Sequence, residues 1–499
     1  MGSRRLTSLT NTAIPTAACG NSSVSFGPRS VRIPLPLFQE PRVGRPSHID
    51  ADRPPQQSTP SVADVRTCSF REMTKPLETR VAGLFVFWPL LAQLGFDNLV
   101  RQASYPGSRM VPATSALLSL LALKLVDKER RGHISDFNFD EALGLFAGLN
   151  ILPKATFATD YSYRTVRENQ QRLLAGWVSG LLPRLDPQPD AFSLDFHSIP
   201  HRGDDNGLEN HYVPMRGKAV PSILTFFAQA VKSRLLCYSD ATIVRGQAAG
   251  QLLKFVEFCR SILGADPSWV YFDSRLTTYA EMNRLNVRGK TSFITIRRRG
   301  SRVVRDLANQ PDSAWRRTVI DTPKRRHRNI RYLEQVIQVA DYEGDLRQIA
   351  VTGLGRDKPT LLLTNNRDET ARQIMTRYTS RNGIEDSLGS GVNFFHLDCL
   401  ASEVPLNVDL DAALTVVANG CYRWLASELD GFTEAKPKRL CRKIIETGGT
   451  VRVTEGQIHV HFQKRAHNPI LRQAGLDAKA GAIPWAGGKT LRFTYAGTE

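Results

Sequence analysis

The stretch Phe192-Ser193-Leu194-Asp195-Phe196-His197-Ser198-Ile199-Pro200 decides the fold of this chain. Its apolar pattern predicts a β-strand with a carboxylate, Asp195, in its middle. A second short apolar run, Trp269-Val270-Tyr271-Phe272-Asp273, ends on a carboxylate, and Glu385 lies in a later helical stretch. Two acids on strands and one on a helix can converge on one point, and phosphoryl-transfer enzymes need such a point to hold a pair of Mg²⁺ ions.

The segments around Asp195 predict a mixed α/β core. Strand-like and helix-like patterns alternate here in a defined order. The predicted elements are strands over 191–199, 223–230 and 234–243, a helix over 246–263, a strand over 268–273, a helix over 277–285 and a strand over 291–297. This order resembles the ribonuclease H type of fold.

The composition favours an anionic partner. The formal net charge is +18, which favours nucleic acid or an anionic surface, with a basic but otherwise ordinary enzyme as the alternative. The seven cysteines occur singly, without a Cys-x-x-Cys pair, so neither a structural zinc site nor a disulfide framework is indicated. The longest apolar runs are shorter than the ~18 residues of a membrane span. We therefore expect a soluble, cytoplasmic protein without a membrane partner.

A length of 499 residues suggests about three domains. The N-terminal segment is rich in Pro, Ser, Thr and Arg and lacks a periodic apolar pattern, which is typical of disorder. The predicted parts are a disordered segment (1–65), a helical, candidate DNA-binding domain (66–185), a catalytic core (186–297 and 367–430), a β-rich basic insertion (298–366), and a basic linker with a small C-terminal β unit (431–499).

Three local expectations can be checked directly. Asp136 is a candidate N-cap for a helix over 137–147. A longer helix is predicted over 162–181, and its arginines suit either a solvated face or DNA contacts. A hairpin is predicted around Glu455-Gly456.

The acidic residues and their neighbours resemble the DDE transposases of bacterial insertion sequences. The resemblance is to the large group with a β-strand insertion and a Tyr-x-x-Arg-x-x-x-Glu signature, a spacing that Tyr378, Arg381 and Glu385 reproduce. The strand around Asp195 resembles the first-aspartate strand of the family, and the segment around Asp273 resembles its second. The resemblance covers roughly residues 70 to 430.

The resemblance implies DNA cleavage at transposon ends, followed by strand transfer into target DNA. It implies that Asp195, Asp273 and Glu385 hold two Mg²⁺ ions, for which Mn²⁺ can substitute, with Asp195 bridging both. Tyr378 and Arg381 would contact DNA. A homodimer is expected because two DNA ends must be joined, and a transposase would work at the nucleoid.

The densest basic stretch, 297–331, fits the same interpretation. It holds twelve Lys and Arg residues against three Asp, so 12 − 3 gives a local net charge of +9. Such runs are usually solvated, but this one lies in the insertion beside the predicted site, which favours a grip on the DNA backbone. The candidate DNA-binding arginines of this stretch are Arg297, Arg298, Arg299, Arg325 and Arg326.

The chain departs from the family pattern after Glu385. Many relatives carry a lysine seven positions further on, where this chain has Val392, and the intervening Ser387-Leu388-Gly389-Ser390-Gly391 is rich in glycine. Each glycine lowers helix stability by about 1 kcal/mol relative to alanine. Two alternatives therefore stay open: a catalytically inactive, transposase-derived DNA-binding protein, and a related metal-dependent nuclease.

Each candidate also has a purely structural interpretation. A lone Asp at a strand end is more often a turn or cap residue, and Arg381 could simply pair with Glu385 within one helix. Asp386 is adjacent to Glu385 and could be mistaken for it. Asp240 is expected to be structural, and His197 and His201 lack a third ligand for zinc.

Overall fold

The structure is a computed structural model, and it describes residues 64–129, 131–201, 208–213, 216–322, 325–355, 358–399 and 405–497. The predicted disordered segment 1–65 therefore lies outside the described residues, apart from its last two positions.

The strands of the described chain form two sheets. In chain order they are β1 Leu77–Thr79, β2 Ala191–Pro200, β3 Asn210–Val213, β4 Lys218–Ala230, β5 Leu236–Asp240, β6 Trp269–Phe272, β7 Ser292–Ile296, β8 Arg316–Thr322, β9 Arg325–Ile337, β10 Leu346–Thr352, β11 Thr360–Thr364, β12 Gly449–Val453, β13 Gln457–Phe462 and β14 Thr490–Tyr495.

Helices precede the larger sheet along the described chain and alternate with its strands. In chain order they are α1 Trp88–Gln93, α2 Phe96–Gln102, α3 Ala113–Leu125, α4 Glu141–Phe146, α5 Ala155–Tyr163, α6 Arg167–Leu185, α7 Gln251–Leu263, α8 Tyr279–Val287, α9 Ser301–Ala308, α10 Ala371–Thr379, α11 Asn382–Asn393, α12 Pro405–Glu428, α13 Pro437–Leu440 and α14 Asn468–Ala474.

The larger sheet is mixed, and β2 is one of its interior strands. Its order is β3-β4-β2-β6-β7-β11-β10-β9-β8, and β5 also pairs with β4. Strand β2 runs antiparallel to β4 and parallel to β6, and β6 runs parallel to β7. Phe192, Ser193 and Leu194 of β2 are fully buried, and because side chains alternate along a strand, both of its faces are covered here. The predicted mixed α/β core is confirmed at this level.

The predicted insertion does not form a separate sheet. Its strands β8 to β11 pair antiparallel in sequence, and β11 then pairs with β7. The insertion therefore continues the central sheet beyond β7. The β-rich character predicted for it is confirmed by these four strands.

Two details of the helical region differ from the expectations. Asp136 lies in a 3₁₀ segment, Arg131–Phe137, and pairs with Lys128 at 3.0 Å. The cap is Asp140 instead, whose Oδ1 accepts the backbone N–H of Leu143 at 2.9 Å. This N–H is one of those that a helix start leaves without a helical partner, so the cap follows the true start of α4.

The helix predicted over 162–181 is two helices, α5 and α6. Arg167, at the start of α6, is largely buried, with Nη1 2.7 Å from Asp409 Oδ1 and Nε 3.7 Å from Asp240 Oδ1. It binds β5 and α12 to α6. Neither of the interpretations offered for this arginine from the sequence is therefore correct, while the structural role expected for Asp240 is confirmed.

The C-terminal part forms a second sheet, in the order β1-β12-β13-β14. The predicted hairpin is confirmed, because β12 and β13 are antiparallel neighbours. The segment predicted as a basic linker is helical instead: α13 runs into a π-helical turn, Cys441–Ile445. Leu440, Ile444 and Ile445 are fully buried, so this segment is part of the packed core.

Within the described residues, no single helix is long and apolar enough to cross a membrane. One bent pair, Ala82–Gln93 with Phe96–Gln102, passes on length and composition alone.

Candidate active site

The two aspartates emerge side by side from neighbouring parallel strands. Leu194 of β2 pairs with Phe272 of β6, so Asp195 and Asp273 occupy the next positions of the same register. Neighbouring strands lie about 4.8 Å apart, which places the two carboxylates side by side at the C-terminal end of β6. Each carboxylate also accepts a backbone N–H of the following residue, from Phe196 at 2.9 Å and from Ser274.

Glu385 reaches the same end of β6 from α11. The helical stretch around it breaks between α10 and α11, and Arg381 is the N-cap residue of α11. The guanidinium of Arg381 donates from Nη1 to Asp195 Oδ2 at 3.3 Å and from Nη2 to Glu385 Oε1. The predicted intrahelical pair is therefore present, and it also extends to the first-aspartate strand.

The neighbouring acid, Asp386, faces elsewhere. Its Oδ1 lies 3.7 Å from Nζ of Lys436, at the start of α13. Adjacent residues of a helix point about 100° apart, so only one of the two acids can face Asp195. The structure places Glu385, not Asp386, beside Arg381.

Burial and neighbouring charges shift the pKa values of the groups in this cluster. Burial raises the pKa of Asp195 to about 6, with Arg381 opposing the rise and the charges of Glu385 and Asp273 adding to it. Burial acts to lower the pKa of Arg381, but nearby Tyr378 and the three carboxylates outweigh it, and the net effect is a raised pKa. Three acids therefore surround a single, largely buried cation.

Tyr378 completes the cluster. Its ring centroid lies 5.9 Å from the guanidinium carbon of Arg381, within the range of a cation–π contact. Burial raises the pKa of its hydroxyl, so it is a neutral hydrogen-bonding group at working pH. Arg377, the residue before Tyr378, pairs with Glu369 at 2.7 Å. Its guanidinium carbon also lies 4.7 Å from the centroid of the Trp269 ring, and these contacts fix α10 against the sheet.

The donor chemistry of the cluster suits Mg²⁺, which prefers carboxylate oxygens. Three carboxylates against one guanidinium leave an excess of negative charge at the site. In the arrangement described, however, Arg381 fills the space between Asp195 and Glu385. Among the described residues, no group of three or more His, Cys, Asp or Glu side chains has the geometry needed to hold a metal ion. The ligand types therefore fit the ion, and Arg381 would have to withdraw for them to hold it.

The glycine-rich stretch forms a regular helix, α11. A Cβ at Gly383 would lie 3.2 Å from Oε1 of Gln229, whereas one at Gly389 would meet nothing within 4 Å. Val392, which stands in place of the signature lysine, packs against an apolar cluster that includes Leu388 and Leu397. Position 392 therefore contributes to the core and not to the site.

Among its described side chains, the basic stretch reaches the site through one arginine. Arg298 follows β7 and lines a cavity of about 350 Å³ together with Asp273, Ser274 and Thr278. Arg297 instead donates to Gln348 at 2.6 Å, and Arg299 donates to the carbonyl oxygen of Lys358 at 3.3 Å. The side chains of Arg325 and Arg326 lie outside the described part of the structure.

Sequence reasoning missed one polar pair next to the site. His197 Nε2 lies 2.6 Å from Asp398 Oδ1. The histidine is two residues after Asp195 on β2, so strand alternation places both side chains on the same face. That alternation was the available signal, but the acidic partner lies 201 residues away along the chain.

No protein-family model matches this chain, and no curated protein is significantly similar to it.

Proposed function

We propose that this protein is a DDE transposase that cleaves DNA at transposon ends and transfers the strands to target DNA. The observation that carries the proposal is the convergence of Asp195, Asp273 and Glu385 around Arg381. These are the acids that the Tyr-x-x-Arg-x-x-x-Glu resemblance implies, and they come from two strands and a helix far apart in sequence.

A ribonuclease H-like core is part of the same proposal. Its support is the order β5-β4-β2-β6-β7, in which three antiparallel strands are followed by two parallel ones. In such a sheet, the ends of adjacent parallel strands are rigid places from which to present the acids.

Asp195, Asp273 and Glu385 would hold the metal ions. When bound, Mg²⁺ or Mn²⁺ would activate a water or a 3′-hydroxyl and stabilise the leaving oxygen of an in-line displacement. Asp195 must be ionised to hold an ion, and its pKa of about 6 in the metal-free site means that protons compete with the ion below that pH.

Arg381 and Tyr378 would contact the DNA. A guanidinium is a planar fork that suits a phosphate as well as a carboxylate, and here it lies next to all three acids. Arg298, beside Asp273, would add a second phosphate contact. The net charge of +18 supports a polyanionic partner. A homodimer acting on paired DNA ends in the cytoplasm completes the proposal.

The test is cleavage and strand transfer on the genomic DNA that flanks the gene, with Mg²⁺ or Mn²⁺. We expect activity in the wild type and in Asp386→Ala, and loss of activity without loss of DNA binding in Asp195→Ala, Asp273→Ala and Glu385→Ala. Activity that survives any of these three substitutions would refute the assignment of that acid.

A second candidate function is a DNA-binding protein that no longer cuts. The packing of Val392 into the core favours it, because the basic group of the family signature is absent from α11. Salt-dependent DNA binding by a wild type that cleaves with neither ion would establish this candidate. Cleavage without strand transfer would instead indicate a nuclease.

A further inference from the structure

The helical segment that replaces the predicted linker has two contrasting faces. Its apolar side chains are buried: Pro437, Leu440, Cys441, Ile444 and Ile445. Its remaining side chains are all cationic and line a cavity of about 550 Å³: Lys436, Lys438, Arg439, Arg442 and Lys443. Because the buried face fixes the backbone, the cations are held together on a rigid surface, which we call the α13 basic surface.

Few anionic groups neutralise this surface. Among the described residues, Lys436 is the only one of its five cations in an ion pair, with Asp386 at 3.7 Å. Arg439 and Lys443 lie over the ring of Phe432 at 5.2 and 6.0 Å. Glu434 also lines the cavity, but it pairs with Arg234 at 2.8 Å.

The positive charges of this surface affect the pKa of a neighbouring histidine, His467. Nζ of Lys443 lies 3.1 Å from Nε2 of His467. Burial, followed by the charges of Lys443, Arg439 and Arg465, lowers the pKa of His467. Burial disfavours any added charge, but the part of the shift that comes from these three cations shows that they lie close together.

The α13 basic surface adjoins the candidate active site. Lys436 contacts Asp386, the residue that follows Glu385 on α11. The surface therefore begins one residue away from the third acid. Arg298 lies beside Asp273, on the second-aspartate side of the cluster. A cation thus lies beside Asp273, and another lies beside the residue that follows Glu385.

We propose that the α13 basic surface binds the phosphate backbone of duplex DNA next to Glu385 and so holds the DNA at the site. This inference rests on the proposed function, since it names a contact of the same DNA. A concave, rigid row of cations suits consecutive phosphates, and such contacts position DNA without reading its sequence. The surface places positive charge beside α11, where Val392 stands in place of the signature lysine and carries no charge.

The test compares DNA affinity and its salt dependence in the full chain. Lys438→Gln/Arg442→Gln removes two exposed cations, and Arg452→Gln/Arg492→Gln removes two exposed cations from β12 and β14 as a matched control. Each lost phosphate contact lowers the slope of log affinity against log salt by about 0.9. We expect a slope lower by about 1.8 and an affinity lower by on the order of tenfold in the first variant only.

The outcomes separate the inference from the proposed function. Equal losses in both double variants, or no loss in either, would overturn the inference while leaving the transposase proposal in place. A wild type that binds anionic lipid vesicles but not duplex DNA would overturn both. The charge reversal Arg442→Glu, with an unchanged thermal midpoint as the check on folding, must weaken binding more than Arg442→Gln does, and an equal effect would count against a phosphate contact.

Discussion

Replacing Asp195 with asparagine should stabilise the folded protein at pH 8. The carboxylate is largely buried and lies near two other acids, and together with burial these raise its pKa from the ordinary 3.8 to about 6. Asparagine has the same shape, and its Oδ1 can still accept the N–H of Phe196. Its amide nitrogen replaces the Oδ2 that accepts from Arg381, which keeps its pair with Glu385. The substitution therefore removes an unfavourable charge at the cost of one long hydrogen bond.

The magnitude follows from the pKa difference. A rise from 3.8 to about 6, at about 1.4 kcal/mol for each tenfold change in proton affinity, corresponds to about 3 kcal/mol. Because the pKa is higher in the folded state, proton binding by Asp195 favours folding below about pH 4, and this contribution is lost as the pH rises through about 6. The gain from asparagine should therefore be about 3 kcal/mol at pH 8, about half of that at pH 5, and small at pH 4.

The assay is urea unfolding of the wild type and Asp195→Asn at these three pH values without divalent ions. Asp386→Asn is the control, because its carboxylate is exposed and should change stability by less than about 0.5 kcal/mol at any pH. Adding Mg²⁺ should then stabilise the wild type more than Asp195→Asn. A destabilised Asp195→Asn, or a gain that does not depend on pH, would refute the reasoning.

Three further predictions concern packing, a buried ion pair and pH. Gly83→Ala should destabilise the protein by several kcal/mol in thermal unfolding, because its Cβ would lie 2.0 Å from a backbone oxygen of the π-helical turn. The control Gly456→Ala should be nearly neutral in the same assay, because its Cβ would meet no atom within 4 Å. Arg167→Ala should lower the free energy of unfolding by about 3–5 kcal/mol, because it leaves buried carboxylates on β5 and α12 unpaired. The exposed Arg172→Ala should change it little, and equal effects of the two variants in denaturant unfolding would contradict this prediction. Mg²⁺ binding should weaken as the pH drops below about 6, because protons then compete with the ion for Asp195; an Mg²⁺ affinity that is unchanged between pH 7 and 5 would contradict its role.

The local patterns of this sequence predicted the central part of the fold well. Strands around Asp195 and Asp273 are short, apolar and bounded by polar turns, so their positions follow from composition alone. Their register places the two carboxylates together, which the order of the elements indicated in advance. The helical position of Glu385 was likewise predicted, because its spacing to Tyr378 and Arg381 is local.

Features that depend on distant contacts were not predictable in this way. Arg167 pairs with Asp409, 242 residues away, and nothing in its own helix signals a buried partner. The segment around Lys438 was predicted as a linker because its cations hide the apolar spacing of the residues between them. The continuation of the central sheet into the insertion was not predicted, since the pairing of β11 with β7 joins strands more than 60 residues apart and leaves no local trace.

The most direct test of the central claim compares two adjacent carboxylates of α11. Glu385 binds Arg381 at the cluster, while Asp386 faces Lys436. We expect Glu385→Gln to abolish Mg²⁺-dependent cleavage of the flanking DNA while DNA binding persists, and Asp386→Asn to cleave at close to the wild-type rate. Loss of cleavage in Asp386→Asn with activity retained in Glu385→Gln, or equal activity in both, would contradict the account.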